Sequence, residues 1–141
     1  MQLRQVTPRY FVSPQISPED AATLADAGFT HVICNRPDPE VPPSHQAAAI
    51  GAAVEAAGLT FVVNPLTHDT MTPDRAALQR DTLETSAGKV LAYCASGTRS
   101  TVVWTLGHVA DLGTDGVLQA AAEAGYDLSA LRPRLEMIAQ G

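Results

Sequence analysis

The sequence predicts an α/β fold of three layers, in which helices cover both faces of a mostly parallel sheet of four to five strands. Two observations predict it. Short apolar runs alternate along the chain with helical segments whose ends are marked by capping residues and glycines. The apolar runs are nearly continuous and lack the polar alternation of a half-exposed strand, which indicates strands that are buried on both faces.

Four apolar runs are the predicted strands. They are residues 9–13 (RYFVS), 31–35 (HVICN), 59–64 (LTFVVN) and 89–94 (KVLAYC). Their valine, isoleucine and aromatic residues favour extended backbone. Because helical segments separate the runs, neighbouring strands are expected to be joined by crossovers and to run parallel.

Six helices are predicted from N-terminal caps, first-turn prolines and closing glycines. They run from Ser17 to Gly28, from Ser44 to Gly58, from Thr72 to about Ser86, from about Ser100 to Leu112, from Thr114 to about Gly125, and from Ser129 onward with Pro133 in the first turns. The proline-rich residues 36–44 (RPDPEVPPS) are predicted to form a loop. No linker or repeat divides the chain, so residues 1–141 are expected to form one domain.

Composition restricts the possible functions. Hydrophobic residues make up 45% of the chain and charged residues 17%, which is typical of a soluble globular protein. The net charge of -6 argues against general nucleic-acid binding, which requires a basic face. No apolar run approaches the ~18 residues that cross a membrane, and residues 1–13 show no secretory signal. We therefore expect a cytoplasmic protein, and the abundant alanine and arginine suggest a GC-rich bacterial coding sequence.

Polar segments follow three of the predicted strands. They are residues 35–38 (NRPD), 64–69 (NPLTHD) and 94–100 (CASGTRS). The carboxyl ends of parallel strands meet at one edge of a sheet, and open α/β sheets bind their ligands there. The three segments are therefore expected to converge on one site.

The segment that begins at Cys94 has the residue types of an anion-binding loop beside a nucleophilic thiol. Residues 95–98 (ASGT) are small, so their backbone N–H groups can surround an anion, and Gly97 can adopt a positive φ at low cost. The helix that begins near Ser100 adds unpaired N–H groups, and Arg99 offers a planar donor for an oxyanion. This positive field favours the Cys94 thiolate. Ser100 is expected to hydrogen-bond the sulfur or to assist its departure.

The alternative interpretation is a buried cysteine at a strand end, followed by a solvated Arg99 at the start of a helix. The combination of strand end, small loop, glycine, arginine and serine favours a functional Cys94 instead. The second cysteine, Cys34, lies within a predicted strand and is expected to pack as a small apolar residue. The histidines show no spacing suited to a metal site, so we expect neither a metal nor another cofactor.

The pattern CxxGxRS after a buried strand resembles two families of cysteine enzymes. Protein tyrosine and dual-specificity phosphatases place five residues between the cysteine and the arginine, whereas four residues separate Cys94 from Arg99. Single-domain rhodanese sulfurtransferases have the shorter loop and often a tyrosine before the cysteine, as Tyr93 is here. The loop by itself therefore favours a rhodanese.

The longer segments resemble a different, bacterial family. Over about residues 6–112, the segments SPQISPEDAATLADAGFTHVICNRPDPE, FVVNP and VLAYCASGTRS resemble the phosphatase-like domain of beta-lactamase hydrolase-like proteins, a family also labelled as candidate sulfur transferases. The resemblance implies a small fold like that of the protein tyrosine phosphatases. No segment matches the GHIxGA-like stretch that rhodaneses usually carry.

The phosphatase resemblance implies a general acid that protonates the departing oxygen. In dual-specificity phosphatases this aspartate follows the strand before the cysteine strand, and Asp69 occupies that place. The alternative for Asp69 is an ordinary turn residue. His68 is expected to orient Asp69 or to contact substrate, or else to be an exposed loop histidine. Arg36 is expected either to add a second cation to the site or to pair with Asp38 or Glu40.

These observations predict a cysteine-dependent hydrolase of a phosphate ester. Sulfur transfer through a Cys94 persulfide and a non-catalytic anion-binding module are the alternatives. The predicted catalytic residues are Cys94, Arg99, Asp69 and Ser100, and the predicted substrate-binding residues are Ala95, Ser96, Gly97, Thr98, Arg36 and His68. The expected partners are a small anionic or phosphorylated substrate and, for sulfur transfer, a low-molecular-weight thiol such as glutathione. Neither nucleic acid nor a membrane is expected as a partner.

Overall fold

The sheet in the computed structural model, which describes residues 1–141, has five strands. In chain order they are β1 (Arg4–Gln5), β2 (Tyr10–Ser13), β3 (Phe29–Cys34), β4 (Thr60–Val63) and β5 (Lys89–Tyr93). Their spatial order is β1-β2-β5-β3-β4, and only the β1–β2 pair is antiparallel. The mostly parallel sheet is thus confirmed. The edge strand β1 was not predicted, because its two residues are polar and exposed.

Five α-helices surround the sheet. They are α1 (Asp20–Asp26), α2 (Ala47–Ala56), α3 (Pro73–Thr85), α4 (Thr98–Glu123) and α5 (Arg132–Gln140). Helix α4 consists of two helical segments, because Gly113, with φ 79° and ψ 160°, is not helical and separates them, which agrees with the two helices predicted here. Pro133 lies in the first turn of α5, as predicted. None of the helices combines the length and the apolar character needed to cross a bilayer.

Helix α2 begins later than the sequence indicated. Ser44 lies in a 3-10 turn, Pro43–His45, and the first residue of α2 is Ala47. The Asp38 carboxylate accepts a hydrogen bond of 2.8 Å from the Ala47 N–H. The cap therefore comes from a side chain nine residues earlier in the chain, and the prediction of a cap at Ser44 was wrong.

Residues of the central strands alternate between two hydrophobic cores. Val32, Cys34 and Leu91 belong to the core that also contains residues of α1 and α2. Ile33 and Ala92 belong to the core that contains residues of α3, α4 and α5. Helices therefore cover both faces of the sheet, as predicted. Cys34 is 2% exposed, which confirms its predicted packing as a small apolar residue.

The carboxyl ends of the four parallel strands lie side by side. Tyr93 at the end of β5 is in register with Ser13 of β2 on one side and with Cys34 of β3 on the other, and Cys34 is in register with Val63 of β4. Loops that leave these strands therefore start at the same edge of the sheet. The loop that begins with Cys94 leaves from the middle of this edge, because β5 lies between β2 and β3.

Candidate active site

The loop that begins at Cys94 joins β5 to α4 and turns around the cysteine sulfur. Cys94 is fully buried, and its backbone N–H donates to the Ser13 carbonyl oxygen at 3.4 Å. The N–H of Gly97 donates to the Cys94 Sγ at 3.1 Å. Gly97 has a φ of 93°, a left-handed conformation that glycine adopts at little cost. The turn therefore directs a backbone donor at the thiol.

Further N–H groups of the same loop remain available to an anion. The N–H groups of Ala95, Ser96, Arg99 and Ser100 make no hydrogen bond within the chain. Helix α4 begins at Thr98, so the positive end of its dipole adds to these donors. Free N–H groups beside a thiol can stabilise negative charge on the sulfur and on a bound oxyanion.

Arg99 is held by a carboxylate. Its Nη1 and Nη2 donate to the two Glu40 carboxylate oxygens at 2.8 and 2.7 Å, and Nη1 also donates to the Leu66 carbonyl oxygen at 2.8 Å. Glu40 ends a 3-10 turn that follows β3, and its carboxylate also pairs with Arg36 Nε at 3.2 Å. Arg36 therefore makes the ion pair that was one of its two predicted roles, and Glu40 lies between two guanidinium groups.

The ion pairs at Glu40 reduce the positive charge of the site. The hydrogen bond from Arg99 lowers the pKa of Glu40, with a further contribution from Arg36, so this carboxylate is ionised throughout the neutral pH range. The pKa of Arg99 is raised, first by its hydrogen bonds to Glu40 and also by the nearby Cys94 side chain. One net positive charge remains among Arg36, Arg99 and Glu40.

We expect the substitution Glu40→Gln to tighten the binding of inorganic sulfate at the Cys94 loop. It removes the anion that competes for Arg99, and an ion pair of this exposure is worth up to ~1 kcal/mol, or about fivefold in affinity. The affinity is measured as protection of Cys94 from alkylation by iodoacetamide at increasing sulfate concentration.

A matched control for this experiment is Glu84→Gln, which removes a carboxylate that pairs with Arg80 at 3.0 Å on α3. This control should leave sulfate protection unchanged. Weaker protection in Glu40→Gln than in the control would show that Glu40 supports anion binding instead of competing with it.

A buried polar network lies beneath the loop. The Gln79 Oε1 accepts hydrogen bonds from the side-chain amides of Asn35 and Asn64 at 3.0 and 2.9 Å. The Gln79 Nε2 donates to Tyr10 Oη at 3.0 Å and to Asn35 Oδ1 at 2.9 Å. Ser100 belongs to the same network through two groups. Its Oγ donates to Asn35 Oδ1 at 2.8 Å, and its carbonyl oxygen accepts from Tyr10 Oη at 2.7 Å. The network ties the first turn of α4 to the sheet and to α3.

Ser100 donates its hydroxyl proton inside this network and not to the Cys94 sulfur. The predicted hydrogen bond from Ser100 to the sulfur is therefore not formed in this structure. Sequence reasoning also missed the amide residues that hold Ser100. The available signal was an asparagine directly after each of two strands, Asn35 after the mostly buried β3 and Asn64 after the partly exposed edge strand β4. Both asparagines are buried, and a buried polar side chain needs hydrogen-bond partners.

His68 and Asp69 follow β4 at the same edge of the sheet and form no hydrogen bond with the Cys94 loop. They are the central residues of a turn that the Thr70 N–H closes on the Thr67 carbonyl oxygen at 3.2 Å. Both side chains are exposed, and neither forms a hydrogen bond with residues 94–100. The turn follows Leu66, whose carbonyl oxygen is bound by Arg99, so its backbone is anchored beside the site.

Tyr126 lies against the outer side of the Cys94 loop and was not predicted. Its hydroxyl donates to the Ser96 carbonyl oxygen at 2.9 Å. A Cβ at position 97 would clash with this hydroxyl, which gives a second reason for Gly97 besides its φ. Burial raises the pKa of Tyr126. Its separation of 30 residues from Ser96 explains why no local pattern indicated the contact.

Comparison with known sequences identifies relatives of the chain. A family model described as beta-lactamase hydrolase-like protein, phosphatase-like domain, matches residues 2–111. A beta-lactamase hydrolase-like protein of Xylella fastidiosa is 31% identical over 131 residues, which are 91% of this chain and 30% of that protein. The chain thus spans about a third of the length of the curated relatives it matches.

Solved structures with the same fold include phosphatases. A candidate phosphatase from Neisseria meningitidis is 31% identical, with a TM-score of 0.84 over 98% of this chain and 99% of that chain. Tk-PTP is 18% identical, with a TM-score of 0.69 over 98% and 96% of the two chains. A cysteine-to-serine variant of TpbA from P. aeruginosa, in complex with phosphotyrosine, is 16% identical, with a TM-score of 0.61 over 95% and 90%. The expected likeness to the protein tyrosine phosphatase fold is confirmed.

Proposed function

The chain belongs to the phosphatase-like domain family of beta-lactamase hydrolase-like proteins, and we propose that it hydrolyses phosphate monoesters with Cys94 as the nucleophile. The observation that carries the proposal is the hydrogen bond of 3.1 Å from the Gly97 N–H to the Cys94 Sγ. A donor aimed at the sulfur stabilises the thiolate, which is the reactive form. The bound phosphotyrosine of TpbA, a protein of the same fold, is consistent with a phosphorylated substrate.

The proposed reaction has two steps. In the first, the Cys94 thiolate attacks phosphorus, the ester P–O bond breaks, and the departing oxygen takes a proton from the carboxylic acid of Asp69. The loop N–H groups and Arg99 stabilise the other phosphate oxygens. In the second step, water attacks phosphorus, the S–P bond breaks, and Asp69 takes the proton from the water. The products are inorganic phosphate and the restored thiolate.

Sulfur transfer is the second candidate, and three features favour it. Four residues separate Cys94 from Arg99, Glu40 already occupies the Nη groups of Arg99, and Asp69 forms no hydrogen bond with the Cys94 loop. A sulfane-sulfur donor needs no general acid. The Cys94 thiolate would attack the outer sulfur of thiosulfate and release sulfite. The resulting persulfide would pass its terminal sulfur to a thiol such as glutathione, which restores the Cys94 thiolate.

Rapid trapping of the Cys94 peptide tests both candidates. The protein is incubated with an aryl phosphate or with thiosulfate, quenched with denaturant, digested and weighed. A phosphoryl group on Cys94 supports the phosphatase, and one added sulfur atom supports the sulfurtransferase. An unmodified Cys94 peptide under both conditions would refute both.

We expect Asp69→Asn to lower kcat about a hundredfold for phosphate esters with poor leaving groups, because an amide cannot protonate the departing oxygen. Aryl esters with good leaving groups should react almost as in the wild type, and transfer from thiosulfate should not change. Steady-state rates for a pair of esters that differ in leaving-group pKa measure this difference.

The control for this experiment is Asp74→Asn, which removes an acidic side chain from the first turn of α3. It should leave both rates within about twofold of the wild type, since an exposed helical aspartate contributes only to local stability. Equal losses for good and poor leaving groups in Asp69→Asn would remove Asp69 from the role of general acid.

A further inference from the structure

Tyr126 contacts the Cys94 loop from outside, and we propose that it is a positioning residue for the reactive thiol. Its hydroxyl holds the peptide group between Ser96 and Gly97 in the orientation that directs an N–H at the Cys94 sulfur. This inference rests on Cys94 being the reactive thiol of the proposed function. It does not depend on whether the thiol transfers phosphate or sulfur.

One peptide group carries both contacts. Its carbonyl oxygen, that of Ser96, accepts from Tyr126 Oη at 2.9 Å, and its N–H, that of Gly97, donates to Cys94 Sγ at 3.1 Å. All peptide bonds of the chain are trans, and in a planar trans peptide the C=O and the N–H point in opposite directions. A donor that holds the carbonyl oxygen on the outer side therefore keeps the N–H directed inward at the sulfur.

This peptide group needs such a restraint because it precedes a glycine. Without a Cβ, Gly97 passes between positive and negative φ at little steric cost, so the peptide can rotate through coupled changes in Ser96 ψ and Gly97 φ. Rotation would turn the Ser96 carbonyl oxygen toward the sulfur. The thiolate, or an anion bound beside it, would then face an acceptor where it now has a donor.

The fold holds Tyr126 firmly enough to act on the loop. The Tyr126 N–H donates to the Ala121 carbonyl oxygen at 2.9 Å, which fixes the residue to the last turns of α4. Gly125 before it has a φ of 103° and lies against the Arg4 guanidinium. The Tyr126 side chain is half-buried against the core beneath α4 and α5. Tyr126 lies beyond residues 2–111, so the segment that matches the family model does not contain it.

The test is the substitution Tyr126→Phe in the full chain, with the pH dependence of Cys94 alkylation by iodoacetamide as the readout. Loss of the restraint is expected to move the midpoint of the alkylation profile upward by about half a unit to one unit. The rate at neutral pH is expected to fall about three- to tenfold. The Gly97 amide proton signal in an NMR spectrum should also shift, because its hydrogen bond to sulfur is weakened.

The control is Tyr93→Phe, which makes the same chemical change next to Cys94 in sequence. The Tyr93 side chain packs on the opposite face of the sheet with residues of α1 and α2, and its hydroxyl forms no hydrogen bond. This control should leave the alkylation profile unchanged. Besides Tyr126, the titratable groups whose pKa is affected by the nearby Cys94 are Arg99, Tyr10 and Cys34, and all three are present in both variants.

An unshifted alkylation profile in Tyr126→Phe, with a lowered melting temperature alone, would overturn the proposal and reduce Tyr126 to a structural residue. Alkylation requires no substrate, so this result is independent of turnover. A chain that acts on neither aryl phosphate nor thiosulfate, yet shows the shift, would refute the proposed function and support the role of Tyr126.

Discussion

Replacement of Cys94 by serine is expected to reduce turnover at least about a thousandfold while the chain stays folded. A serine hydroxyl is not ionised at neutral pH and therefore cannot replace the thiolate as a nucleophile without an activating base. The substitution is tolerated structurally, because Cys94 is buried and a serine Oγ can also accept the hydrogen bond from the Gly97 N–H. Initial rates with an aryl phosphate and with thiosulfate, together with a thermal unfolding curve, measure the effect.

The control for Cys94 is the other buried cysteine. The Cys34 thiol donates to the Arg36 carbonyl oxygen at 3.3 Å, a bond that a serine hydroxyl can replace, so Cys34→Ser should keep its activity within about twofold. Activity that survives in Cys94→Ser would refute both enzyme proposals. Full biological function of Cys94→Ser, with no turnover by the wild type, would favour the third alternative, an anion-binding module.

The largest effect on stability is expected for Gln79→Leu. Gln79 is 1% exposed and makes four hydrogen bonds through its side-chain amide, to Asn35, Asn64 and Tyr10. A leucine strands these polar groups in the interior, and each stranded group costs about 1–3 kcal/mol. We expect the free energy of unfolding, measured in urea, to fall by about 3–5 kcal/mol, a large part of the stability of a domain of this size.

Gln119→Leu is the matched control for this substitution. Gln119 is exposed on α4, and its side chain makes one hydrogen bond of 3.4 Å, to Glu123. The control should change the free energy of unfolding by no more than about 0.5 kcal/mol. A Gln79→Leu variant as stable as this control would mean that the amide network contributes nothing beyond the volume of its side chains.

Local patterns were sufficient for most of the fold. The four parallel strands, α3 and α5 agree with their predictions to within a few residues, because continuous apolar runs and proline–glycine punctuation act over short distances. The departures have non-local causes. Helix α2 starts at Ala47 because Asp38, nine residues earlier in the connection from β3, caps it, and β1 exists only because it pairs with β2.

The candidate active site likewise has features that local sequence patterns predict and features that only the structure reveals. A small loop with Gly97 between a buried strand and a helix indicated that backbone donors would gather around Cys94, and the Gly97 N–H does point at the sulfur. Residue types alone left two roles open for Arg36, and the structure shows it paired with Glu40. Asp69 follows β4 as predicted and lies in an exposed turn.

Sequence neighbours along the chain determine the backbone of the Cys94 loop, because a strand end, a glycine and a helix start specify dihedral angles within a few residues. The partners that act on this loop are distant in sequence. Glu40 lies 59 residues from Arg99, Asn35 lies 65 residues from Ser100, and Tyr126 lies 30 residues from Ser96. The net charge beside Cys94, the anchoring of the first turn of α4 and the orientation of the Ser96–Gly97 peptide group depend on these long-range contacts. They exist only after the sheet has brought its strand ends together, and no short-range pattern encodes which side chains meet.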